Sequence, residues 1–130
     1  MPFRFRKHYT LDEARALLPQ VRVWLTSLKR HRRQVMQLDD RLAPLLATGD
    51  DLGGDLVNSF VRALAGIQQG LHRFHKLEIQ VKDLDRGLLD FPTLLGGREV
   101  FLCWEQDEDD IEFWHELETG YAGRERLPES

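Results

Sequence analysis

The chain has 130 residues, of which 42% are hydrophobic and 31% are charged, which is typical of one globular domain. It contains no run of about 20 apolar residues, and its basic start lacks the apolar stretch of a secretory signal, so neither a membrane span nor secretion is expected. The lone cysteine, Cys103, excludes an intrachain disulfide and favours a reducing, cytoplasmic setting.

Charge is distributed unevenly along the chain, whose net charge is −4. Residues 1–50 carry ten Lys and Arg against five Asp and Glu, whereas residues 51–130 carry eight against seventeen. This polarity either steers copies of the chain together or only separates two differently solvated surfaces. The acidic total argues against nucleic acid as a partner, and the basic run Lys29–Arg33 spreads around its helix instead of forming one stripe.

Two long helices are predicted first. Thr10 and Glu13 have the spacing of a capping box, which places a helix start at the residue after Thr10. Apolar residues then recur at heptad spacing, and the helix should end near Ala47; the early positions are Leu11, Ala14, Leu18, Val21, Leu25 and Leu28. After a loop at residues 48–54, a second helix from about residue 55 to residue 75–78 has its own seam: Val57, Phe60, Leu64, Ile67, Leu71 and Phe74. Gly66 and Gly70 beside this seam would let another helix approach closely.

From Leu77 onward the pattern changes to the alternation of a half-buried strand. Further strands are predicted at Leu88–Phe91, Glu99–Glu105 and Ile111–Leu117, with turns between them. The predicted fold class is therefore α+β, with a long antiparallel helical hairpin followed by a small three- or four-stranded antiparallel sheet. In this interpretation residues 1–130 form a single domain, with the hairpin at about 11–78, the sheet at about 77–118 and an irregular tail at 119–130.

The first helix is long for so small a domain. A helix of about 35 residues extends about 50 Å, and one partner helix with a small sheet does not cover it. Two hairpins that pair into a four-helix, coiled-coil-like bundle would bury the remaining apolar seam. We therefore expect a homodimer.

Several segments of the chain resemble one family. They are Tyr9–Pro19, Lys82–Pro92, Gly97–Trp104, Phe113–His115 and Gly120–Arg124. In order and spacing they are similar to the bacterial and archaeal family called domain of unknown function 2203, over nearly the whole chain. The resemblance implies an intracellular protein with that family's fold, and it implies no activity.

A thiol and an imidazole, Cys103 and His115, could together form a nucleophile or a metal site. A tight hairpin turn at residues 108–109 would place Cys103 opposite Trp114 and Leu102 opposite His115. Because side chains alternate along a strand, Cys103 and His115 would then point to opposite sides of the sheet. A one-residue slip or a bulge in the turn would reverse that conclusion.

Three aspartates lie close together in the sequence, at Asp83, Asp85 and Asp90. Aspartates beside a glycine often stabilise turns through their own backbone, which is the simpler interpretation here. Paired carboxylates can also bind a cation, and with His115 nearby, Asp83 and Asp90 are the best candidates for a divalent-metal site. No other cofactor is predicted.

Other features favour structural roles. The acidic turn at residues 105–110 lacks the ligand spacing and glycine of an EF-hand loop, and His72 and His75 are expected at a helix surface. If the helices cover only one face of the sheet, the other face presents an apolar patch to a partner. The candidate residues of this binding surface are Phe101, Cys103, Trp104, Trp114 and Arg124.

The leading functional hypothesis is a non-enzymatic, self-associating interaction module, because the helical seam exceeds what the monomer buries and no catalytic constellation is evident. The alternative is a divalent-metal-binding protein or metal-dependent enzyme that uses Asp83, Asp90 and His115. No catalytic residue is assigned from the sequence, and enzymatic activity is left open.

Overall fold

The computed structural model describes residues 2–49 and 54–128, so most of the predicted loop at 48–54 lies outside the described residues. Two helices come first, α1 (Leu11–Thr48) and α2 (Gly54–Lys76). Five strands follow: β1 (Gln80–Asp83), β2 (Leu88–Leu95), β3 (Arg98–Glu105), β4 (Phe113–Glu116) and β5 (Glu125–Arg126). They form one antiparallel sheet in the order β1-β2-β3-β4-β5. No described helix is both long enough and apolar enough to cross a membrane.

Helix α1 begins where the capping box predicted. The amide of Glu13 donates to the Thr10 hydroxyl over 3.1 Å, and the Thr10 amide donates to the Glu13 carboxylate over 2.9 Å. The helix ends at Gly49, whose φ of 73° is left-handed and therefore suits glycine. With 38 residues, α1 is about 57 Å long.

The two helices pack closely through the glycines of α2. A Cβ added at Gly70 would lie 2.4 Å from Leu28 Cδ2, and one added at Gly66 would lie 2.7 Å from the His31 ring. The close approach predicted from these glycines is therefore confirmed. The predicted seam of α2 is only partly buried, however, because Phe74 is buried while Leu64 and Leu71 remain exposed.

One face of the sheet packs against α1 and forms the core. Its inward side chains are Leu89, Phe91, Leu102 and Trp104, and they meet Ala14, Leu18, Val21, Leu25 and Leu28 of α1. The core also includes Tyr9, Phe74, Ile79 and Ile111. The fold class is thus confirmed as α+β with a helical hairpin, although the sheet has five strands.

Strand β2 continues past Pro92, where the sequence predicted it to end. The residue pairs between β1 and β2 stop at Asp90. Beyond them, on the side of β2 that faces away from β3, the Pro92 carbonyl accepts a hydrogen bond from the Tyr9 amide over 2.7 Å. The nitrogen and carbonyl of a strand residue point to the same side, so the nitrogen of Pro92 faces away from β3. The missing N–H therefore costs no bond in the β2–β3 ladder.

The register of β3 with β4 differs from the tight-turn prediction by one residue. Cys103 lies opposite Phe113, Leu102 opposite Trp114, and Phe101 opposite His115. The connection is longer than a tight turn because the Glu108 amide donates to the Glu105 carbonyl and the Trp104 indole N–H donates to the Glu108 carbonyl. The prediction that Cys103 and His115 point to opposite sides is therefore wrong.

The outer face of the sheet is covered by both ends of the chain. The N-terminal arm, residues 2–9, places Phe5 against Phe101 with ring centroids 5.4 Å apart. The tail predicted as irregular contains a 3₁₀ turn at Tyr121–Gly123 and strand β5. This cover, together with the core on the other face, buries much of the predicted binding surface: Phe101, Cys103 and Trp104 are fully buried, Trp114 is half-buried, and the Arg124 side chain is 11% exposed.

Candidate metal centre

Three neighbouring strands bring one side chain each to the same place on the outer face. Asp90 of β2 is the registered partner of Cys103 on β3. His115 of β4 pairs with Phe101, two residues before Cys103 and therefore on the same face. Cross-strand pairing alone thus places a carboxylate, a thiol and an imidazole side by side.

The three side chains form a compact, buried group. One ligand atom from each, a carboxylate oxygen, Sγ and an imidazole nitrogen, all lie within 4.8 Å of one another. Asp90 and His115 are each 2% exposed and Cys103 is fully buried. Polar groups so deeply buried are costly unless a partner satisfies them.

The imidazole of His115 is held in a defined tautomer. Its Nδ1 lies 2.6 Å from the Glu116 carbonyl oxygen, and because a carbonyl can only accept, Nδ1 carries a proton and donates it. In the neutral ring Nε2 then carries a lone pair, which is directed away from Glu116. This arrangement is typical of metal-binding histidines, in which the outer nitrogen is fixed by a second partner.

The other nitrogen of His115 faces Asp90. Nε2 lies 2.9 Å from Asp90 Oδ2, but the approach is not aligned as a hydrogen bond, and Nε2 has no other partner among the described residues. Asp90 Oδ1 also lacks a hydrogen-bond partner there. An imidazole lone pair beside a carboxylate repels it, so this contact calls for a proton or a cation between the two groups.

The thiol of Cys103 is strongly affected by its surroundings. Burial and the nearby Asp90 carboxylate raise the pKa of this thiol to about 12, although the Arg124 guanidinium opposes the rise. Arg124 lies over the Phe113 ring, with its Cζ 3.6 Å from the ring centroid, and it pairs with Glu108. Its buried Nη1 has no hydrogen-bond partner in the described chain. Without a metal the thiol is therefore neutral at physiological pH.

A small cavity opens beside this group. Its volume is about 270 Å³, and both Asp90 and His115 line it. The rest of its wall comes from Lys82, Leu88, Leu117 and the segment 118–121. The group is therefore buried among side chains on one side and borders this half-open cavity on the other.

Two of the three metal ligands predicted from the sequence, Asp90 and His115, come together here. The third, Asp83, lies outside the group and accepts the Arg86 amide over 3.1 Å, as expected for a turn-forming aspartate. Cys103 takes its place. A tight turn would place Cys103 and His115 on opposite faces of the sheet, and only the actual length of the turn brings them to the same face.

The acidic turn after β3 contacts α1 of the same chain. Arg22 donates from Nη1 to the Gln106 carbonyl over 2.9 Å and from Nη2 to the Glu108 carbonyl over 2.8 Å. Lys29 donates to the Gln106 side chain, and Arg32 pairs with Asp85. The basic first part of the chain is thus matched to the acidic second part within one molecule.

Comparison with known proteins agrees with the resemblance seen in the sequence. No curated protein and no solved structure shows a significant match to the chain. The model of the family described as uncharacterized conserved protein (DUF2203) matches residues 7–127, which include Asp90, Cys103 and His115. The chain therefore belongs to the DUF2203 family.

Proposed function

We propose that the protein binds one zinc ion through Asp90, Cys103 and His115. The observation that carries the proposal is the pair of atoms without a hydrogen bond, His115 Nε2 and Asp90 Oδ1, on side chains that are 2% exposed. A cation at this position would be coordinated by both atoms, and its charge would remove the repulsion between imidazole and carboxylate. This hypothesis keeps Asp90 and His115 from the sequence-based metal site and replaces Asp83 with Cys103.

The chemistry of the three side chains favours zinc over the hard divalent cations. Zinc binds thiolate, imidazole and carboxylate at roughly 2.0–2.3 Å, so its ligand atoms lie about 3.3–3.7 Å from one another in a tetrahedron. Ligand atoms that already lie within 4.8 Å need only small shifts to reach that spacing. Calcium and magnesium prefer oxygen ligands throughout, and a thiolate disfavours them.

Three protein ligands leave the fourth position of a tetrahedral zinc ion open. Structural zinc sites are closed by four protein ligands, whereas catalytic sites keep one position for water or substrate. The cavity beside Asp90 and His115 supports an open position on that side. Zinc bound there would supply a Lewis acid, so a metal-dependent enzyme is the form of this function that the geometry favours. The reducing, cytoplasmic setting expected from the sequence belongs to the proposal, because Cys103 must remain an unoxidised thiolate to bind the ion.

The proposal is tested by the metal content of untagged protein purified without chelators, measured by mass spectrometry. We expect about one zinc ion per chain, and loss of most of it in Cys103→Ser and in His115→Gln. Cobalt substitution gives a second readout, since coordination by a thiolate produces a cobalt–sulfur charge-transfer band that Cys103→Ser abolishes.

Asp83→Asn is the matched control, because it changes an aspartate on the same sheet that lies outside the group. It should keep the zinc, with circular dichroism confirming that all variants are folded. Metal-free wild-type protein that also fails to take up zinc or cobalt after dialysis would contradict the proposal. The group would then be a buried His–Asp ion pair.

A second candidate function, self-association, is favoured by an exposed apolar stripe on α2. Val61, Leu64 and Leu71 are 56%, 40% and 40% exposed, and their spacing puts them on one face together with half-buried Val57. The opposite stripe of α2 already packs on α1. We infer that the stripe pairs with the same stripe of a second copy, as in the homodimer expected from the sequence.

Charge along α2 supports an antiparallel pairing of the two copies. The first turn holds Asp55, and the last turn holds Arg73, His75 and Lys76. Two antiparallel α2 helices would therefore bring each acidic end beside a basic end, and their helix dipoles would point in opposite directions, which is favourable. The resulting four-helix arrangement would pack its apolar stripe in the manner of a coiled coil.

Light scattering at micromolar concentration tests the dimer. Wild-type protein should have the mass of two chains, and Val61→Glu/Leu64→Glu should have the mass of one, because two buried charges would face each other across the interface. Val23→Glu is the control, since Val23 is 66% exposed on α1, away from the stripe. A monomeric wild type would contradict this candidate without bearing on the zinc site.

A further inference from the structure

The cavity beside the group of Asp90, Cys103 and His115 has the size of a small organic ligand. A volume of about 270 Å³ corresponds to the liquid volume of about nine water molecules. Its wall is mixed, with Asp90 and His115 on one side and the apolar side chains of Leu88 and Leu117 and the ring of Tyr121 elsewhere. A ligand with one polar group and a short apolar tail would match such a lining.

Charge at the cavity favours an anion once zinc is bound. The two charges of zinc are balanced by the Asp90 carboxylate and the Cys103 thiolate, so the metal centre itself is neutral. Lys82 adds a positive charge at the wall; its ammonium lies over the Phe101 ring, 5.3 Å from the centroid, and no described carboxylate pairs with it. The other charged wall residue, Glu118, is paired with Arg4. One uncompensated positive charge therefore remains.

We propose that this cavity binds a small monocarboxylate, with its carboxylate at the open position of the zinc ion and its tail against Leu88, Leu117 and Tyr121. The inference rests on the proposed zinc site and adds the chemical class of the ligand. Lys82 is the specificity-determining residue, because it supplies the charge that distinguishes a carboxylate from a neutral amide of the same shape.

The experiment uses the full-length protein with cobalt in place of zinc. The visible spectrum of the cobalt ion reports its coordination and is titrated with acetate, propionate, acetamide and inorganic phosphate. Acetate and propionate should shift the spectrum with dissociation constants in roughly the millimolar range, and acetamide should bind much more weakly. Lys82→Met should weaken acetate binding about tenfold, the effect of one charged hydrogen bond. Lys76→Met, a change at an exposed lysine on α2, should not.

The outcomes separate this inference from the zinc proposal. A cobalt spectrum that acetate leaves unchanged, or that acetamide shifts equally well, overturns the carboxylate ligand and leaves the metal site standing. A spectrum that shifts only with phosphate, and not with acetate or propionate, would show that the proposed ligand class, a monocarboxylate, is wrong. Failure of the protein to bind cobalt at all overturns the metal site and, with it, the ligand.

Discussion

Nε2 of His115 lies 2.9 Å from Oδ2 of Asp90 in a part of the sheet where both side chains are 2% exposed. The Glu116 carbonyl holds the proton on the other imidazole nitrogen, so the lone pair of the neutral ring faces the carboxylate. Buried groups placed in this way are strained electrostatically unless a charge lies between them. Adding or withholding the proposed zinc ion is therefore the sharpest test of the site.

Zinc should stabilise the folded protein. A ligand that binds only the native state at a concentration one hundred times its dissociation constant adds about 2.7 kcal/mol to the free energy of unfolding. Urea unfolding followed by tryptophan fluorescence, with zinc and with chelator, measures this difference. His115→Gln should show no zinc effect, and an equal effect in that variant would place the binding elsewhere.

Cys103 should resist alkylation in the native protein. The thiol is fully buried, and burial raises its pKa to about 12, so the reactive thiolate is scarce even without metal. Iodoacetamide at neutral pH, with the adduct counted by intact mass, should label the native chain very slowly. In denaturant, labelling should become stoichiometric. Rapid labelling of the native protein would contradict the burial of this residue.

Gly70→Ala should destabilise the helical hairpin. The new Cβ would lie 2.4 Å from Leu28 Cδ2, and Leu28 is itself buried, so either its side chain or the helices must shift. Overpacking should cost about 1–3 kcal/mol and alanine gains roughly 1 kcal/mol in helix propensity, so we expect a net loss of up to about 2 kcal/mol in the free energy of unfolding. Gly54→Ala is the control, because a Cβ there meets nothing within 4 Å. Equal stability of the two variants would argue against the close helix contact.

Arg22→Ala should destabilise the protein through the turn after β3. Arg22 donates to two carbonyls of this turn, and its guanidinium lies over the Trp104 ring, 4.9 Å from the centroid. Loss of these charged contacts should cost about 1.5–3 kcal/mol, as measured by chemical unfolding. Arg30→Ala, at an exposed position of the same helix, should change stability by less than about 0.5 kcal/mol. An effect of similar size at both positions would show that the loss of stability comes from the charge on the helix and not from the turn contacts of Arg22.

The N-terminal arm should loosen in acid. Burial acts to raise the pKa of Glu99, but its hydrogen bonds with His8 and with the amides of Phe5 and Arg4 outweigh that effect and hold the pKa below 4.5. A depressed carboxyl pKa contributes stability above the unfolded pKa, and this contribution is lost as the pH falls through the folded value. The amide resonances of Arg4 and Phe5 should therefore titrate with a midpoint below 4.5, and Glu99→Gln should remove the transition. A midpoint above 4.5 would contradict the assignment.

The sequence predicted the helical hairpin and the run of antiparallel strands because those signals are local. Thr10 and Glu13 lie within one turn of each other, and the apolar run of β3 lies within eight residues. The extent of β2 was missed because Pro92 normally ends a strand, and it is tolerated here because its nitrogen faces the side on which β1 no longer pairs. Strand β5 was missed because two residues carry too little pattern.

Composition, capping and periodicity thus determined the fold class, and the close spacing of the aspartates, with His115 as a further ligand type, made Asp90 and His115 candidate ligands. Only the tertiary structure decided that Cys103 joins them and that Asp83 does not. The reason is physical: a shift of one residue in the register of β3 and β4 moves every side chain of β4 to the other face. The turn that fixes this register also contacts Arg22, more than 80 residues earlier, and no local pattern contains those contacts.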